Sequence, residues 1–196
     1  AESVILSYDG MGNDGQTVLF HGTNGILTYI EQSPLRFGQS YNNLGYILEI
    51  QPDVAGSTAG KTMGLSAYGR VRPEWVASAR KYVREYAKRP PFDVTGLRNY
   101  GKDHRINPVG LEDLPEFRPF LEPMKRDSNK GIRQTIKNIL GPPQYELRLP
   151  GPEHELSQDL AQTVQHAWTT EVITLLANYR DISRNLCVVG GCALNG

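Results

Sequence analysis

The sequence predicts an α/β protein: a mixed sheet opened by a three-stranded antiparallel meander, flanked by helices and carrying an inserted proline-rich segment. Three observations predict it. Short segments separated by turn clusters rich in Gly, Asn and Asp fill the first 33 residues, one long stripe of apolar residues at helical spacing runs from 155 to 180, and a continuous apolar run, Leu186-Cys187-Val188-Val189, follows that stripe.

The meander comprises Val4 to Tyr8, Thr17 to His21 and Gly25 to Glu31. Its turns are Gly10-Met11-Gly12-Asn13-Asp14-Gly15 and Gly22-Thr23-Asn24-Gly25, whose residues accept the backbone angles of tight reversals. After Ser33-Pro34, the apolar residues Leu44, Ile47 and Leu48 predict a short helix over 44–50, ended by Pro52. Residues 56–69 read as a glycine-bearing loop and short helix. Pro73 then stands at a favourable first helical position, ahead of the stripe Trp75, Val76, Ala79, Tyr82, Val83 and Tyr86, which predicts an amphipathic helix over 73–88.

Between Pro90 and Pro152 lie ten of the 13 prolines, and this segment reads as an insertion over 90–152. Within it, Asp127-Ser128-Asn129 can cap a helix whose Ile132, Ile136, Ile139 and Leu140 face inward before Gly141-Pro142-Pro143; 93–126 is equally compatible with a loop. The stripe of Leu156, Leu160, Val164, Ala167, Trp168, Val172, Leu175, Leu176 and Tyr179 predicts a long core helix, and the run 186–189 a buried strand closed by Gly190-Gly191. The 196 residues suit a single domain.

Composition excludes some classes of function. With 21 basic against 21 acidic residues, no overall charge favours a polyanionic partner. The longest apolar runs fall far short of the ~20 residues of a membrane-spanning helix, and Ala1-Glu2-Ser3-Val4 has no basic region of the kind that opens a signal peptide. Two cysteines, Cys187 and Cys192, make no disulfide framework, so the expected compartment is a reducing cytoplasm. As a metal pair they would need further ligands that the spacing does not provide, and packing is the alternative. Ten basic residues against four acidic ones between Arg70 and Arg105 could form a positive face toward nucleic acid or a phosphorylated metabolite; a solvated surface is the simpler expectation, and nucleic acid is not the expected partner. Trp75 and Trp168 sit on core faces.

Three segments could carry chemistry. Asp9 followed by Gly10, Gly12 and Gly15 places a carboxylate and exposed amides at a strand tip, an arrangement suited to a phosphate or metal and equally to a plain hairpin turn. Gly60-Lys61-Thr62 echoes the end of a P-loop, but the required upstream glycine would fall at Ala55 and no apolar strand leads in, so the P-loop reading fails. Gly190-Gly191 with Asn195 could admit a flat ligand beside an amide, or could serve packing alone.

Taken in order, Tyr8-Asp9-Gly10 to Gly15, then Gly60-Lys61-Thr62-Met63-Gly64-Leu65-Ser66-Ala67-Tyr68-Gly69, then Gly190-Gly191-Cys192-Ala193-Leu194-Asn195, the sequence resembles the NodU/CmcH-type O-carbamoyltransferases. The Lys-x-Met-Gly-Leu-x-x-Tyr-Gly block is the most specific part. The resemblance implies a ribonuclease-H-like lobe of the actin-like ATPase superfamily, which includes the sugar kinases and the tRNA threonylcarbamoyladenosine-forming enzymes. It implies an ATP-dependent enzyme that takes the carbamoyl group of carbamoyl phosphate, through carbamoyl adenylate, to a hydroxyl of a small-molecule acceptor.

By the same resemblance Asp9 corresponds to a metal ligand, for iron or another divalent cation. Gly10, Gly12, Gly15, Lys61, Gly64, Gly190, Gly191 and Asn195 correspond to nucleotide-binding positions. No catalytic residue is assigned. The family's His-x-x-x-His pair is missing, since His21, His104, His154 and His166 have no such partner. A chain opening without Met directly into a strand, and closing just after a glycine turn, reads as a piece of a longer protein. On that reading the remaining lobe and a carboxy-terminal carbamoyl-adenylating domain would complete the enzyme, and this piece alone would be inactive. A sugar kinase, a threonylcarbamoyl transferase and a non-catalytic nucleotide-binding module are the alternatives.

Overall fold

The computed structural model of the chain describes residues 2–9, 17–33, 35, 37–53, 57–87, 109–123 and 145–194. The meander forms as expected. Strands β1 (Glu2–Tyr8), β2 (Thr17–Thr23) and β3 (Ile26–Ser33) pair antiparallel in sequence order, with a register shift at Leu19/Phe20. Asn24 and Gly25 carry the positive φ of the second turn. Alternation along β1 sends Val4, Leu6 and Tyr8 into the core while Ile5 and Ser7 face the other side.

The first helix, α1 (Phe37–Ile47), begins well before the expected 44–50. Its buried stripe is Phe37, Tyr41, Leu44, Ile47 and Leu48, but Gly38, Asn42, Asn43 and Gly45, all weak helix formers, obscure the stripe in the sequence. Nor does Pro52 end it. The Glu49 N–H donates to the Tyr46 carbonyl and the Ile50 N–H to that of Gly45, at 3.1 and 2.9 Å, with Glu49 at φ 55: a Schellman stop with glutamate where glycine is usual. Arg148 holds the Glu49 carboxylate at 2.8 Å.

Helix α2 (Ala59–Ser66) starts against α1, where Gly45 leaves room for the Thr58 side chain and Asn42 accepts the Thr58 N–H at 2.7 Å. Pro73–Trp75 form one 3₁₀ turn leading into α3 (Val76–Ala87), whose Ala79, Tyr82 and Val83 are buried. Of the expected insertion, two described stretches contribute to the core. Leu111, Leu114 and Phe117 are buried, with Phe117 against Trp75 at 4.9 Å between ring centroids, and β4 (Leu121–Pro123) pairs with β5 (Tyr145–Leu147) in a two-stranded ribbon. Leu149 donates its N–H to the Ile47 carbonyl at 2.9 Å. The helix expected after Asp127 lies outside the described residues.

The long helix α4 (Glu155–Ala177) packs against both α2 and α3 and buries Leu160, Val164, Ala167, Trp168 and Val172 as expected. It also buries Asp159 and Glu171, which the apolar stripe did not announce. Asp159 receives Arg70 and Arg72. Glu171 accepts from Arg80 Nε and Arg84 Nε, each at 2.7 Å. Burial pulls the Glu171 pKa upward, yet the two guanidiniums outweigh it and hold the carboxyl below its usual value. With Lys81 on Asp113 at 3.1 Å, the basic stretch is matched to acids wherever it is described, which removes the grounds for a positive face there.

Strand β6 (Leu186–Val189) returns parallel to β1, giving the order β3-β2-β1-β6. It is not buried as expected: Leu186, Val188 and Val189 are 41–51% exposed. The strand is at the sheet edge, where among the described residues β1 is its one pairing partner. A continuous apolar run signals two covered faces, whereas all four residues of β6 are exposed. No helix of the described residues is long and apolar enough to cross a membrane.

Candidate functional site

Parallel pairing brings the carboxyl ends of β1 and β6 side by side, with Leu6 opposite Val188 and Ser7 opposite Val189. The chain then leaves β1 at Asp9 and β6 at Gly190, so two of the three sequence segments meet at one edge of the sheet. The contact is tight. Gly190 has φ +98, and a Cβ there would overlap the Tyr8 carbonyl. Only glycine fits both the angle and the space. One residue on, the Gly191 N–H donates to Asp9 Oδ2 at 2.9 Å, and a Cβ on Gly191 would stand 3.2 Å from Asp9 Oδ1. A single 3₁₀ turn, Gly191–Leu194, follows.

Beneath this junction, Tyr8 stacks on Trp168 of α4 at 5.8 Å and 23°, and Phe37 and Tyr41 close round the same indole at 5.4 and 6.1 Å. The Asp9 backbone therefore leaves a strand end that is pinned from below. Cys192 is buried at the same place. Burial first and the negative Asp9 second push its thiol up to about 12, and burial, then Cys192, raises Tyr8 as well.

The two cysteines part company: Cys192 packs as expected, whereas Cys187 is exposed on the edge strand. Because the thiolate is the nucleophile, a thiol-specific disulfide reagent at pH 8 is expected to titrate one thiol per chain, Cys187, in the folded protein. The second should appear only after denaturant is added. Two rapidly reacting thiols in the native protein would contradict the placement of Cys192.

The third segment lies on α2. Gly60, Lys61 and Gly64 face outward, and a Cβ on either glycine would meet nothing within 4 Å. The Lys61 ammonium donates to the Gln51 carbonyl at 2.9 Å. The structure thus brings Asp9, Gly190 and Gly191 together, and places Lys61 and Gly64 on a helix that shares α4 with them as a support. Gly10, Gly12, Gly15 and Asn195 lie outside the described residues. No protein-family model matches the chain, and no curated protein sequence matches it.

A metal needs several donors. Among the described residues, Asp9 offers one carboxylate, already engaged by an amide, and no three His, Cys, Asp or Glu side chains cluster. The described residues do not by themselves compose a metal centre, and no metal-dependent step follows from them. What sequence reasoning missed is the support: the Tyr8–Trp168 stack and the Asp159 ion pairs join residues far apart in the chain, and no local pattern encodes them.

Proposed function

We propose that this protein is the nucleotide-binding lobe of an ATP-dependent O-carbamoyltransferase of the NodU/CmcH type, with a ribonuclease-H-like sheet. The observation that carries the reading is the junction of Asp9 with Gly190-Gly191 at the carboxyl ends of two parallel strands, the edge at which α/β sheets receive ligands. The sheet order, three antiparallel strands with a fourth parallel to the first, is compatible with that fold.

Helix α2 adds a second line of support. Glycine inside an exposed helix costs roughly 1 kcal/mol relative to alanine, and neither Gly60 nor Gly64 repays that by packing within the described residues. A bare helix surface beside Lys61 lets a phosphate approach the backbone, with the ammonium swinging from a neutral carbonyl to an anion. When bound, carbamoyl adenylate would supply an activated carbonyl, and the chain's part would be to hold and orient it toward an acceptor hydroxyl.

Gly64→Ala separates this reading from a passive role. The substitution is expected to stabilise the fold by about 0.5–1 kcal/mol, while weakening ATP binding measured by calorimetric titration, because a methyl group would stand where the ligand approaches. Lys61→Ala is expected to weaken the same binding about tenfold, a loss of ~1.4 kcal/mol. Pyrophosphate release from ATP that depends on carbamoyl phosphate, assayed in the protein carrying all its domains, tests formation of the adenylate itself. ATP affinity unchanged in both variants would remove α2 from the site, and absence of carbamoyl-phosphate-dependent pyrophosphate release would remove the reaction.

A further inference from the structure

We propose that Asp159 is a positioning residue for the nucleotide site: from α4 it locks the exit of α2 and so fixes the outward face that bears Lys61 and Gly64. This rests on the nucleotide-binding reading above. Asp159 is 2% exposed, and both of its carboxylate oxygens are used. Oδ1 accepts the Arg70 backbone N–H at 2.9 Å; Oδ2 accepts Arg72 Nε–H at 2.5 Å and lies 3.5 Å from Arg70 Nε.

The same short segment is tied at further points. Arg72 N–H donates to Thr163 Oγ1 at 3.0 Å, and Thr163 in turn donates to the Asp159 carbonyl at 2.8 Å. The Arg70 and Arg72 guanidiniums also share Glu155. Gly69 presses its backbone so closely on Gln158 that a Cβ would overlap the Gln158 carbonyl. The segment leaving α2 is therefore seated on the α4 backbone with no slack, held by a buried carboxylate that accepts charge-assisted hydrogen bonds. Nine residues further along α4, Trp168 supports the Tyr8 end of β1. One rigid helix thus sets where α2 stands relative to the Asp9–Gly191 junction.

A second buried acid on the same helix provides the control. Glu171 is 4% exposed and likewise clamps two arginines, but both belong to α3. Asp159→Asn is expected to weaken ATP binding about fivefold to tenfold at a temperature well below the unfolding midpoint. It should also speed amide hydrogen exchange at Ala67, Tyr68 and Gly69. Asp159→Asn and Glu171→Gln should lower the thermal midpoint by similar amounts, while Glu171→Gln leaves ATP affinity within about twofold and exchange at those amides unchanged.

Arg72→Ala, which removes the guanidinium and keeps the carboxylate, should shift affinity and exchange in the same direction as Asp159→Asn. If ATP affinity falls equally in Asp159→Asn and Glu171→Gln, or in neither, Asp159 is a structural residue only and the inference is overturned while the nucleotide site stands. If the unaltered protein binds no ATP, the reading beneath the inference falls and takes the inference with it.

Discussion

Replacing Gly190 by alanine is expected to cost the fold roughly 2–4 kcal/mol, the sum of a side chain forced to positive φ and a methyl group driven into packed backbone. The neighbour it would strike is the Tyr8 carbonyl, part of β1 itself, so relief requires β6 and β1 to move apart at their carboxyl ends. That displacement would break the Gly191 N–H bond to Asp9. Denaturant titration should show the loss as a lower midpoint with little change in slope. Amide exchange at Gly191 should accelerate beyond the global effect. An unfolding free energy within about 0.5 kcal/mol of the unaltered protein would mean that the junction is looser than its geometry states.

Gly64 is the counterpart that makes this prediction specific. Both glycines stand in segments singled out by the sequence, yet one is demanded by the fold and the other is not. A residue whose identity the fold does not require is the better pointer to a ligand.

How much of this was legible beforehand follows from the range of the interactions. The short apolar segment 4–8 set off by turn clusters and the helical spacing over 155–180 are local signals, and both elements appear at nearly the expected bounds, Glu2–Tyr8 and Glu155–Ala177. Helix α1 was misplaced because its glycines and asparagines carry packing duties against Thr58 and Tyr82 rather than helix propensity. The burial of β6 is not legible because apolar content reports what a strand could bury, whereas its four residues are exposed at the sheet edge. At the site, the glycine pairs were visible, but the parallel register that sets Gly191 on Asp9 links residues 182 positions apart. The same is true of the buried acids of α4. A lone Asp or Glu on an apolar stripe reads as an error in the stripe until the arginines that neutralise it are brought up from another helix.

The largest single loss of stability is expected from Trp168→Ala, about 3–5 kcal/mol, the range for removing a large aromatic side chain from a packed core. Against a typical total of about 5–15 kcal/mol this would leave the protein near its unfolding threshold. The indole is 3% exposed and is the common neighbour of Tyr8, Phe37 and Tyr41, so its removal takes a wall from each of them. Trp168→Phe should be far milder, since a ring still fills most of the space and the indole N–H finds no acceptor among the described residues that would be orphaned. The order of denaturation midpoints should therefore be unaltered protein, then Phe, then Ala. The near-ultraviolet circular dichroism of the aromatic cluster should be lost in the last. Because Tyr8 directly precedes Asp9, the Ala variant should also loosen the carboxylate that the Gly191 amide holds, which amide exchange at Gly191 would report separately from global unfolding. If Ala and Phe proved equally stable, the aromatic contacts would be incidental to the strand end, and the support for Asp9 would have to come from the pairing of β1 with β2 and β6 and from the Gly191 amide.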